Sequence, residues 1–260
     1  MRGSVDEHPR RAADLSRTIA TDLLVNGPRT RSELAGLLGV SLATITRLIR
    51  PLLASQVLIE TDRPLSSGLG RSAFGLDVEP SRGRFAGIKV TSDTVFGVTT
   101  DLRARELART ALPLPSTGVD AVIDTIAAVA AELQRGSARP LDAVGVTLGG
   151  TVSADGRVIV GPHLRWEDVP LRTLLAPHFT VPVHVDSDVV GLLRALHWFG
   201  HGREYDGFAL LTVGAGIGYG VVMHDGVVMH DSVLNSRMDA VSHLPVDPAG
   251  PLCPRDIADA

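Results

Sequence analysis

The N-terminal region carries apolar residues at helical spacing in three successive segments, which predicts three helices. The first ends at Asn26-Gly27-Pro28, and Thr30 with Glu33 forms a capping-box pattern at the start of the second. Gly39 suits the left-handed end of the second helix, and Ser41 can cap the third. Two short helices joined by a tight turn that contains glycine are typical of a helix-turn-helix.

The third predicted helix separates an apolar face from a polar one. The positions expected to face the core are Leu42, Ile45, Leu48 and Ile49. The positions on the opposite face are Ala43, Thr44, Arg47 and Arg50. Hydroxyl and methyl groups can contact base edges in a major groove, and arginine can contact guanine or phosphate. The DNA contacts expected from this helix are at Ser41, Thr44, Arg47 and Arg50. Pro51 removes a helical hydrogen bond, so we expect the helix to kink or to end near Arg50.

Two strand patterns follow, VLIETD and AFGLDV, with the glycine-rich stretch RPLSSGLGRS between them. Such a hairpin resembles a wing that places Arg63 or Arg71 against phosphate or the minor groove. We therefore predict a winged helix-turn-helix DNA-binding domain over residues 11–78, preceded by a flexible N-terminus at residues 1–10. The alternative is a three-helix bundle that binds protein and keeps its arginines solvated.

The remainder of the chain, residues 82–260, has the pattern of an α/β domain. RFAGIKVTSDTVFGVTTDLRARELARTALPL alternates like consecutive antiparallel strands, and DAVIDTIAAVAAELQR is an amphipathic helix. LDAVGVTLGG and VPVHVDSD are buried strands, and the second runs into a helix. GFALLTVGAGIGYGVVMHDGVVMHDS repeats the strand–turn–strand–strand plan of residues 85–108. This repetition predicts a duplicated fold of two lobes.

Two stretches of this domain suggest chemistry, and each has a plainer alternative. The glycines of GAGIG, residues 214–218, would let backbone approach a phosphate, but a strand-like segment follows where a Rossmann loop needs a helix. A phosphate-binding turn between strands and a plain hairpin turn both stay open, and the spacing favours the plain turn. Asp186 and Asp188 open a helix after a buried strand, where a carboxylate can act as a general base. Helix capping by these aspartates is the commoner outcome.

Composition and charge predict where the protein is found and what kind of partner it binds. Apolar residues make up 44% of the 260, the chain has one cysteine, and no run approaches the length of a membrane span or a signal peptide. We expect a soluble cytoplasmic protein with no membrane partner. Residues 1–75 hold ten arginines against seven acidic residues, a net charge of +3, whereas the remainder carries −7. A basic N-terminal domain on an acidic body suggests an anionic partner for that domain.

Taken in order, the helix-turn-helix and five later motifs resemble the ROK family of sugar-responsive repressors and sugar kinases. The motifs are VTLGG, HLRWEDVPL, VPVHVDSD, VGAGIGYGVVMHDGVV and SHLPVDPAGPLC. The resemblance covers nearly the whole chain and implies a duplicated actin-like (ribonuclease H-like) domain behind the winged helix-turn-helix. The second lobe's last elements in family members have no counterpart here, so we expect that lobe to be truncated.

The resemblance also assigns roles in a sugar cleft. Family kinases have a first phosphate loop of Asp-x-Gly-Gly-Thr type, and the matching stretch here is KVTSD, residues 89–93, with no initial aspartate and no glycine pair. The family's catalytic aspartate matches Asp188, which in repressors is expected to bind sugar hydroxyls. Gly149, Gly150 and residues 163–166 match other parts of the cleft. The implied sugar-binding residues are Gly150, Asp188 and His243, and no catalytic residue or cofactor is expected.

The family's sugar-and-zinc motif corresponds to DAVSH, residues 239–243, in which Ala240 replaces a glutamate that binds sugar. His243 is retained, but the cysteine-rich loop that supplies the other zinc ligands is reduced to Cys253. A structural zinc site normally needs four ligands. The resemblance therefore implies that His243 and Cys253 are remnants of a zinc site, and we expect no bound metal.

These expectations describe a transcriptional regulator, a repressor that binds a palindromic operator as a homodimer and responds to a sugar or sugar derivative. Two alternatives stay open. One is a kinase that phosphorylates a hexose with ATP, which Asp188 and GAGIG suggest. The other is a truncated relative that binds DNA without a ligand response.

Overall fold

The computed structural model describes residues 7–64, 74–213, 217–223 and 228–229. The chain divides into two compact units. The first consists of Met1–Ala86, Val98–Arg109 and Leu133–Ala143, and the second of Gly87–Gly97, Thr110–Glu132 and Val144–Ala260. Two later segments therefore cluster with the N-terminal 86 residues.

The N-terminal part of the first unit contains the three predicted helices. They are α1 (Glu7–Asn26), α2 (Arg31–Leu38) and α3 (Leu42–Ala54). The capping box of Thr30 and Glu33 is present at the start of α2, and Gly39 ends that helix with a left-handed φ of 62°. Ser41 caps α3, because its side chain accepts the N–H of Thr44. These local signals in the sequence are confirmed.

The expectation that Leu42 faces the core is wrong, and of the two outcomes expected at Pro51 only the end near Arg50 is excluded, while a kink stays a prediction. Leu42 does not face the core but is 52% exposed, because it is the first residue of the helix and its side chain points back towards the N-terminal end. The helix also does not end near Arg50; it continues through Pro51 to Ala54. Pro51 lies in the last turn, where the flanking Leu52 and Leu53 pack against the core and support the helix.

A small antiparallel sheet completes this part of the chain. Its strands are β1 (Arg29–Thr30), β2 (Leu58–Pro64) and β3 (Phe74–Val78), in the order β1-β3-β2. The predicted hairpin of β2 and β3 is confirmed, whereas the two-residue β1 was too short to recognise. Helices and sheet share one hydrophobic core. Its buried members are Ile19, Leu23, Leu34, Ile45, Leu48, Ile49, Leu58, Leu76 and Val78.

The described residues from 85 onwards form an α/β structure, as predicted. The strands are β4 (Phe85–Val90), β5 (Thr94–Thr100), β6 (Glu106–Pro113), β7 (Ala143–Leu148), β8 (Thr151–Val152), β9 (Val158–Gly161), β10 (Trp166–Val169), β11 (Val183–Ser187), β12 (Phe208–Val213), β13 (Ile217–Val222) and β14 (Val228–Met229). The helices are α4 (Val119–Gln134), α5 (Leu171–Leu175) and α6 (Asp188–Phe199). The predicted strands and the two longer helices are present, whereas β8–β10 and α5 were not predicted because each is five residues or shorter.

Three sheets organise these strands. The largest has the order β11-β7-β4-β5-β6, and β11 runs parallel to β7 with Asp186 opposite Thr147 and Ser187 opposite Leu148. The others have the orders β10-β9-β8 and β12-β13-β14. Strand β12 pairs antiparallel with β13, Val213 opposite Ile217. A strand, not a helix, thus follows the GAGIG glycines, which agrees with rejecting a Rossmann loop; residues 214–216 lie outside the described residues.

Among the described residues no single helix is long and apolar enough to cross a membrane. The pair α2 and α3 meets the length and composition requirement when the two are taken together, but it is bent by 111°.

Candidate functional site

The solvent face of α3 has the character predicted for a DNA-reading surface. Arg47 and Arg50 are exposed, Thr44 is half-buried, and Ile45 and Leu48 on the other side are buried. Within the described residues neither Arg47 nor Arg50 forms an ion pair. Both guanidinium groups are therefore available to an external anion or to a base edge.

Ser41, which is predicted to contact DNA, also caps the N-terminal end of α3. Its hydroxyl oxygen accepts the N–H of Thr44 at 3.2 Å, and the two side-chain hydroxyls lie 3.0 Å apart. The pair thus fixes the first turn of α3 and leaves limited hydrogen-bonding capacity for a ligand. The exposed Leu42 beside it is a residue that the pattern assigned to the core. Its methyl groups could contact a thymine methyl at this end of the helix.

The position of α3 is fixed by α1 and α2. The Ser16 hydroxyl on α1 donates to the Leu48 carbonyl on α3 at 3.2 Å. At the start of α2 the Thr30 N–H donates to the Glu33 carboxylate at 2.7 Å, and the Thr30 hydroxyl donates at 2.9 Å. These hydrogen bonds, the backbone one first, hold the pKa of Glu33 below its usual value. Hydrogen bonds and apolar packing against α1 and α2 thus hold α3 in place, with its polar face towards solvent.

Only one of the two arginines predicted for the wing is among the residues that the structure describes. Arg63 lies on β2, and Arg71, in the loop between β2 and β3, lies outside the described residues. The DNA contacts expected from Arg63 and Arg71 stay predictions.

A second group of polar residues lies in the second unit, where the parallel strands β7 and β11 reach their carboxyl ends. Asp186 stands on β11, Asp188 begins α6, and Gly149 and Gly150 follow β7 directly. The carboxyl ends of parallel strands are the usual place for ligands in α/β sheets. The register of the two strands brings the predicted cleft residues Gly150 and Asp188 to the same edge.

Neither aspartate caps α6, and the capping interpretation is wrong. The cap is Ser187, whose hydroxyl accepts the N–H of Val190. Serine fits this position because its short side chain reaches the N–H three residues on. The Asp186 carboxylate instead accepts the N–H of Ser187 at 2.9 Å and pairs with Arg194 at 2.9 Å.

Asp188 faces a residue that the sequence did not connect to it. The Lys89 Nζ lies 3.7 Å from an Asp188 carboxylate oxygen, and the two side chains are 54% and 33% exposed. A cation therefore faces the Asp188 carboxylate. Lys89 is the single lysine of the chain, which was the signal that could have drawn attention to it.

His163 and the glycine pair also lie close to Asp188. A Cβ on Gly149 would lie 2.9 Å from the His163 ring and 3.9 Å from an Asp188 oxygen, so both side chains stand over this glycine. Gly150 has a φ of 144°, and a Cβ there would overlap the backbone carbonyl of Val160. Gly149 leaves room for the imidazole of His163 and the Asp188 carboxylate, and Gly150 leaves room for β9, which gives a packing reason for residues predicted from resemblance alone.

The turn after β4 differs from a phosphate-binding loop. The Thr91 N–H donates to the Thr94 carbonyl at 2.9 Å, and the Thr94 N–H donates to the Thr91 hydroxyl at 3.1 Å. The same hydroxyl contacts the Asp93 carboxylate at 2.9 Å. A phosphate loop offers free backbone N–H groups to the anion. Here two of those groups are used inside the turn, and the side chain at the tip is negative.

The residues that the structure describes contain no group of three or more His, Cys, Asp or Glu side chains that could hold a metal ion. His243 and Cys253 lie outside the described residues. The sugar contact expected from His243 and the absence of zinc therefore stay predictions.

The sequence matches one protein-family model and several characterised proteins. A protein-family model described as the ROK family matches residues 85–254. The chain is 24% identical over 244 residues to the xylose repressor of Bacillus subtilis, covering 91% of this chain and 62% of that protein. It is 28% identical over 232 residues to the DNA-binding transcriptional dual regulator NagC of Escherichia coli, covering 87% and 56%. The chain thus spans less than two thirds of the length of these relatives.

A solved structure supports the fold independently of these sequences. The crystal structure of a ROK family transcriptional regulator, a homolog of the E. coli MLC protein, matches with a TM-score of 0.74 over 95% of this chain and 62% of that one. The sequence identity is 22%. At this identity the likeness shows a common fold.

Proposed function

Because the chain belongs to the ROK family, we propose that it is a DNA-binding transcriptional regulator that represses genes of carbohydrate use. Residues 11–78 form a winged helix-turn-helix domain, and residues 82–260 form an actin-like effector domain that binds a sugar or sugar derivative. The xylose repressor and NagC, by their names, are a repressor and a DNA-binding regulator. Their similarity extends over most of this chain and supports the assignment.

The observation that carries the proposal is the cationic face of α3, whose two arginines form no ion pair with any residue that the structure describes. Arg47 and Arg50 lie one helical turn apart on the exposed face of a helix whose other face is fully buried. That is the arrangement by which a recognition helix contacts a major groove.

A sugar is the effector that best fits the second group of residues. Asp188, His163 and Lys89 together offer hydrogen-bond acceptors and donors on one edge of the sheet. Sugar hydroxyls both donate and accept, so such a mixed group can bind them from two sides. Binding would change the spacing of two DNA-binding domains in a homodimer on a palindromic operator in the cytoplasm.

The protein is not an enzyme in this proposal. A kinase of this family would need backbone N–H groups for the ATP phosphates after β4, and the Thr91–Asp93 turn uses such groups internally. Asp188 faces the ammonium of Lys89 where a hydroxyl substrate would have to reach it. We expect no ADP release above background with common hexoses and ATP.

The test is a fluorescence anisotropy titration of the purified chain with the DNA upstream of its own gene and with a random duplex of equal length. We expect the upstream DNA to bind at least about a thousandfold more tightly at physiological salt. Addition of the cognate sugar from a panel of pentoses, hexoses and amino sugars should release it. Equal affinity for both duplexes would refute DNA recognition, and specific binding that no sugar alters would favour a relative without a ligand response.

A further inference from the structure

The tip of the β5–β6 hairpin is held in one conformation by a buried aspartate. Asp101 is 7% exposed, and its carboxylate accepts the N–H of Arg103 at 2.8 Å and that of Arg105 at 3.0 Å. The Asp101 N–H also donates to the Arg105 carbonyl at 3.1 Å, and Ala104 takes a left-handed φ of 57°. The turn is therefore rigid and directs the Arg103 side chain away from the hairpin.

Arg103 uses its guanidinium fork to contact two elements of the DNA-binding domain at once. One terminal nitrogen donates to the Leu24 carbonyl at 3.2 Å, and the other donates to the Leu23 carbonyl at 3.2 Å. The second nitrogen also pairs with the Asp77 carboxylate. Leu23 and Leu24 lie in the last turn of α1, where the Leu23 carbonyl also accepts the N–H of Gly27 at 3.1 Å, and Asp77 lies on β3.

These contacts are shielded from water and bear on the recognition helix. The side chains of Arg103 and Asp77 are 18% and 21% exposed. Helix α1 carries Leu23, a member of the core on which α3 packs, and Ser16, which bonds to Leu48 of α3. The hairpin tip, α1, β3 and α3 all belong to the same compact unit. A shift of the hairpin tip would thus move α1 and β3, and through them α3.

The segment between the DNA-binding domain and the first strand of the sheet is fixed as well. The Arg84 side chain is 6% exposed and donates to the carbonyls of Leu133 at 2.7 Å and Arg139 at 3.0 Å. The Arg84 N–H donates to the Asp142 carboxylate at 2.8 Å, and the Leu102 N–H donates to the Pro80 carbonyl at 3.1 Å. Residues 80–84 therefore form a bonded segment instead of a free tether.

We propose that Arg103 is a positioning residue that sets the orientation of the DNA-binding domain on the β5–β6 hairpin. The three acceptors match the planar fork of arginine, and lysine could not reach them together. When Arg103 is removed, the helices and β3 keep their own core, but only the bonded segment of residues 80–84 still holds the domain, which then takes a wider range of orientations. Only a fraction of the molecules then presents α3 correctly, and the apparent affinity for DNA falls by that fraction.

The test compares Arg103→Ala with Arg105→Ala, which removes an exposed arginine from the same turn. Both are made in the full chain with Cys253→Ser, Leu37→Cys on α2 and Ala108→Cys on β6, and the two new cysteines carry spin labels. Pulsed electron spin resonance measures the distribution of label distances. We expect one narrow distribution in the parent and in Arg105→Ala, and a clearly broader one in Arg103→Ala.

An equally narrow distribution in Arg103→Ala would overturn the proposal. If that variant loses helical circular dichroism, Arg103→Lys and Asp77→Asn take its place, and each should broaden the distribution. In the DNA arm, which rests on the proposed function, Arg103→Ala should bind about tenfold more weakly than Arg105→Ala. A broader distribution with no DNA binding by any form, the parent included, would keep the positioning role and refute the DNA-binding function instead.

Discussion

The recognition face of α3 and the cleft around Asp188 use charge in opposite ways. On α3, Arg47 and Arg50 are exposed and form no ion pair within the described residues. In the cleft, Lys89 pairs with Asp188 at 3.7 Å, and Arg194 pairs with Asp186 at 2.9 Å. The arginines of α3 are thus accessible to an external partner, whereas the charged side chains around Asp188 pair with one another.

In the proposed function, this difference separates a surface that attracts an anion from a group of residues that binds a neutral ligand. Arginines that contact DNA phosphates release the cations condensed on the DNA, which drives binding. A cleft whose charges are already compensated gains little from a phosphate, but it can exchange hydrogen bonds with hydroxyl groups. Changes in the two regions should therefore affect DNA binding and sugar binding separately.

The largest expected effect is on the cleft. Gly150→Ala would place a Cβ against the Val160 carbonyl at a φ of 144°, and it should destabilise the fold by about 3 kcal/mol. Gly136→Ala is the matched control, since Gly136 also has a positive φ, 77°, but has nothing within 4 Å of the added Cβ. That control should cost about 1 kcal/mol. Chemical denaturation measures both, and equal costs would contradict the packing role of Gly150.

A smaller effect is expected on the recognition face. Arg47→Ala should weaken binding to upstream DNA by about 2 kcal/mol, within the usual range for an arginine that contacts a base. The control is Arg109→Ala, whose guanidinium is exposed and pairs only locally with Glu106. Anisotropy titrations measure both variants, and sugar affinity should not change in either. Loss of DNA affinity in Arg109→Ala to the same degree would mean that overall charge, and not this face, is responsible.

Asp188→Asn tests the cleft without a steric change. It should weaken sugar binding by about 1–2 kcal/mol, because an amide replaces a charged acceptor of hydrogen bonds. DNA affinity without sugar should remain that of the parent. Isothermal titration calorimetry with the sugar found in the release assay measures the loss. An unchanged sugar affinity would remove Asp188 from the binding site.

The sequence predicted the recognition face well because its signals are local. Thr30, Gly39 and Ser41 lie at the helix ends they specify, and the apolar spacing of Ile45, Leu48 and Ile49 defines the buried side. The assignment of Leu42 failed because spacing alone does not tell a first-turn residue from an interior one. Pro51 does not end the helix, because the next two leucines pack against the core and support its last turn.

The cleft was harder to predict because its partners are far apart in sequence. Lys89 and Asp188 are separated by 99 positions, and nothing in the sequence near either residue indicates the other. The resemblance to a family located Asp188 and Gly150, but the pairing depends on how β4, β7 and β11 are ordered. The capping serine was likewise hidden between two aspartates that are themselves good capping residues.

The start of α2 offers a test of how the recognition face is supported. Thr30→Ala removes one side of the capping box and should destabilise the DNA-binding domain by about 1 kcal/mol. Thr18→Ala, which removes an exposed hydroxyl bonded to the Asp14 carbonyl within α1, is the control and should have a smaller effect. Thermal unfolding followed by circular dichroism compares them. An equal shift in both would mean that the capping box contributes nothing particular.

The smallest effect concerns pH. Because hydrogen bonds from Thr30 lower the pKa of Glu33 in the folded state, its contribution to stability is complete above its ordinary pKa of about 4.5 and is lost as the pH falls through the folded value. Glu33→Gln keeps a side-chain acceptor at this position but does not titrate. Denaturation at a series of pH values should therefore show a weaker decline in acid for Glu33→Gln than for the parent. Identical declines would exclude Glu33 as a contributor.

The salt dependence of binding tests most directly whether Arg47 and Arg50 of α3 contact the phosphates or bases of DNA. The logarithm of the association constant for upstream DNA is measured against the logarithm of salt concentration for the parent, for Arg47→Ala with Arg50→Ala, and for Arg109→Ala. We predict that the double variant binds more weakly and that its slope is smaller by about one for each arginine that contacts a phosphate, while Arg109→Ala keeps the parent's slope. A double variant with the parent's affinity and slope would contradict the account.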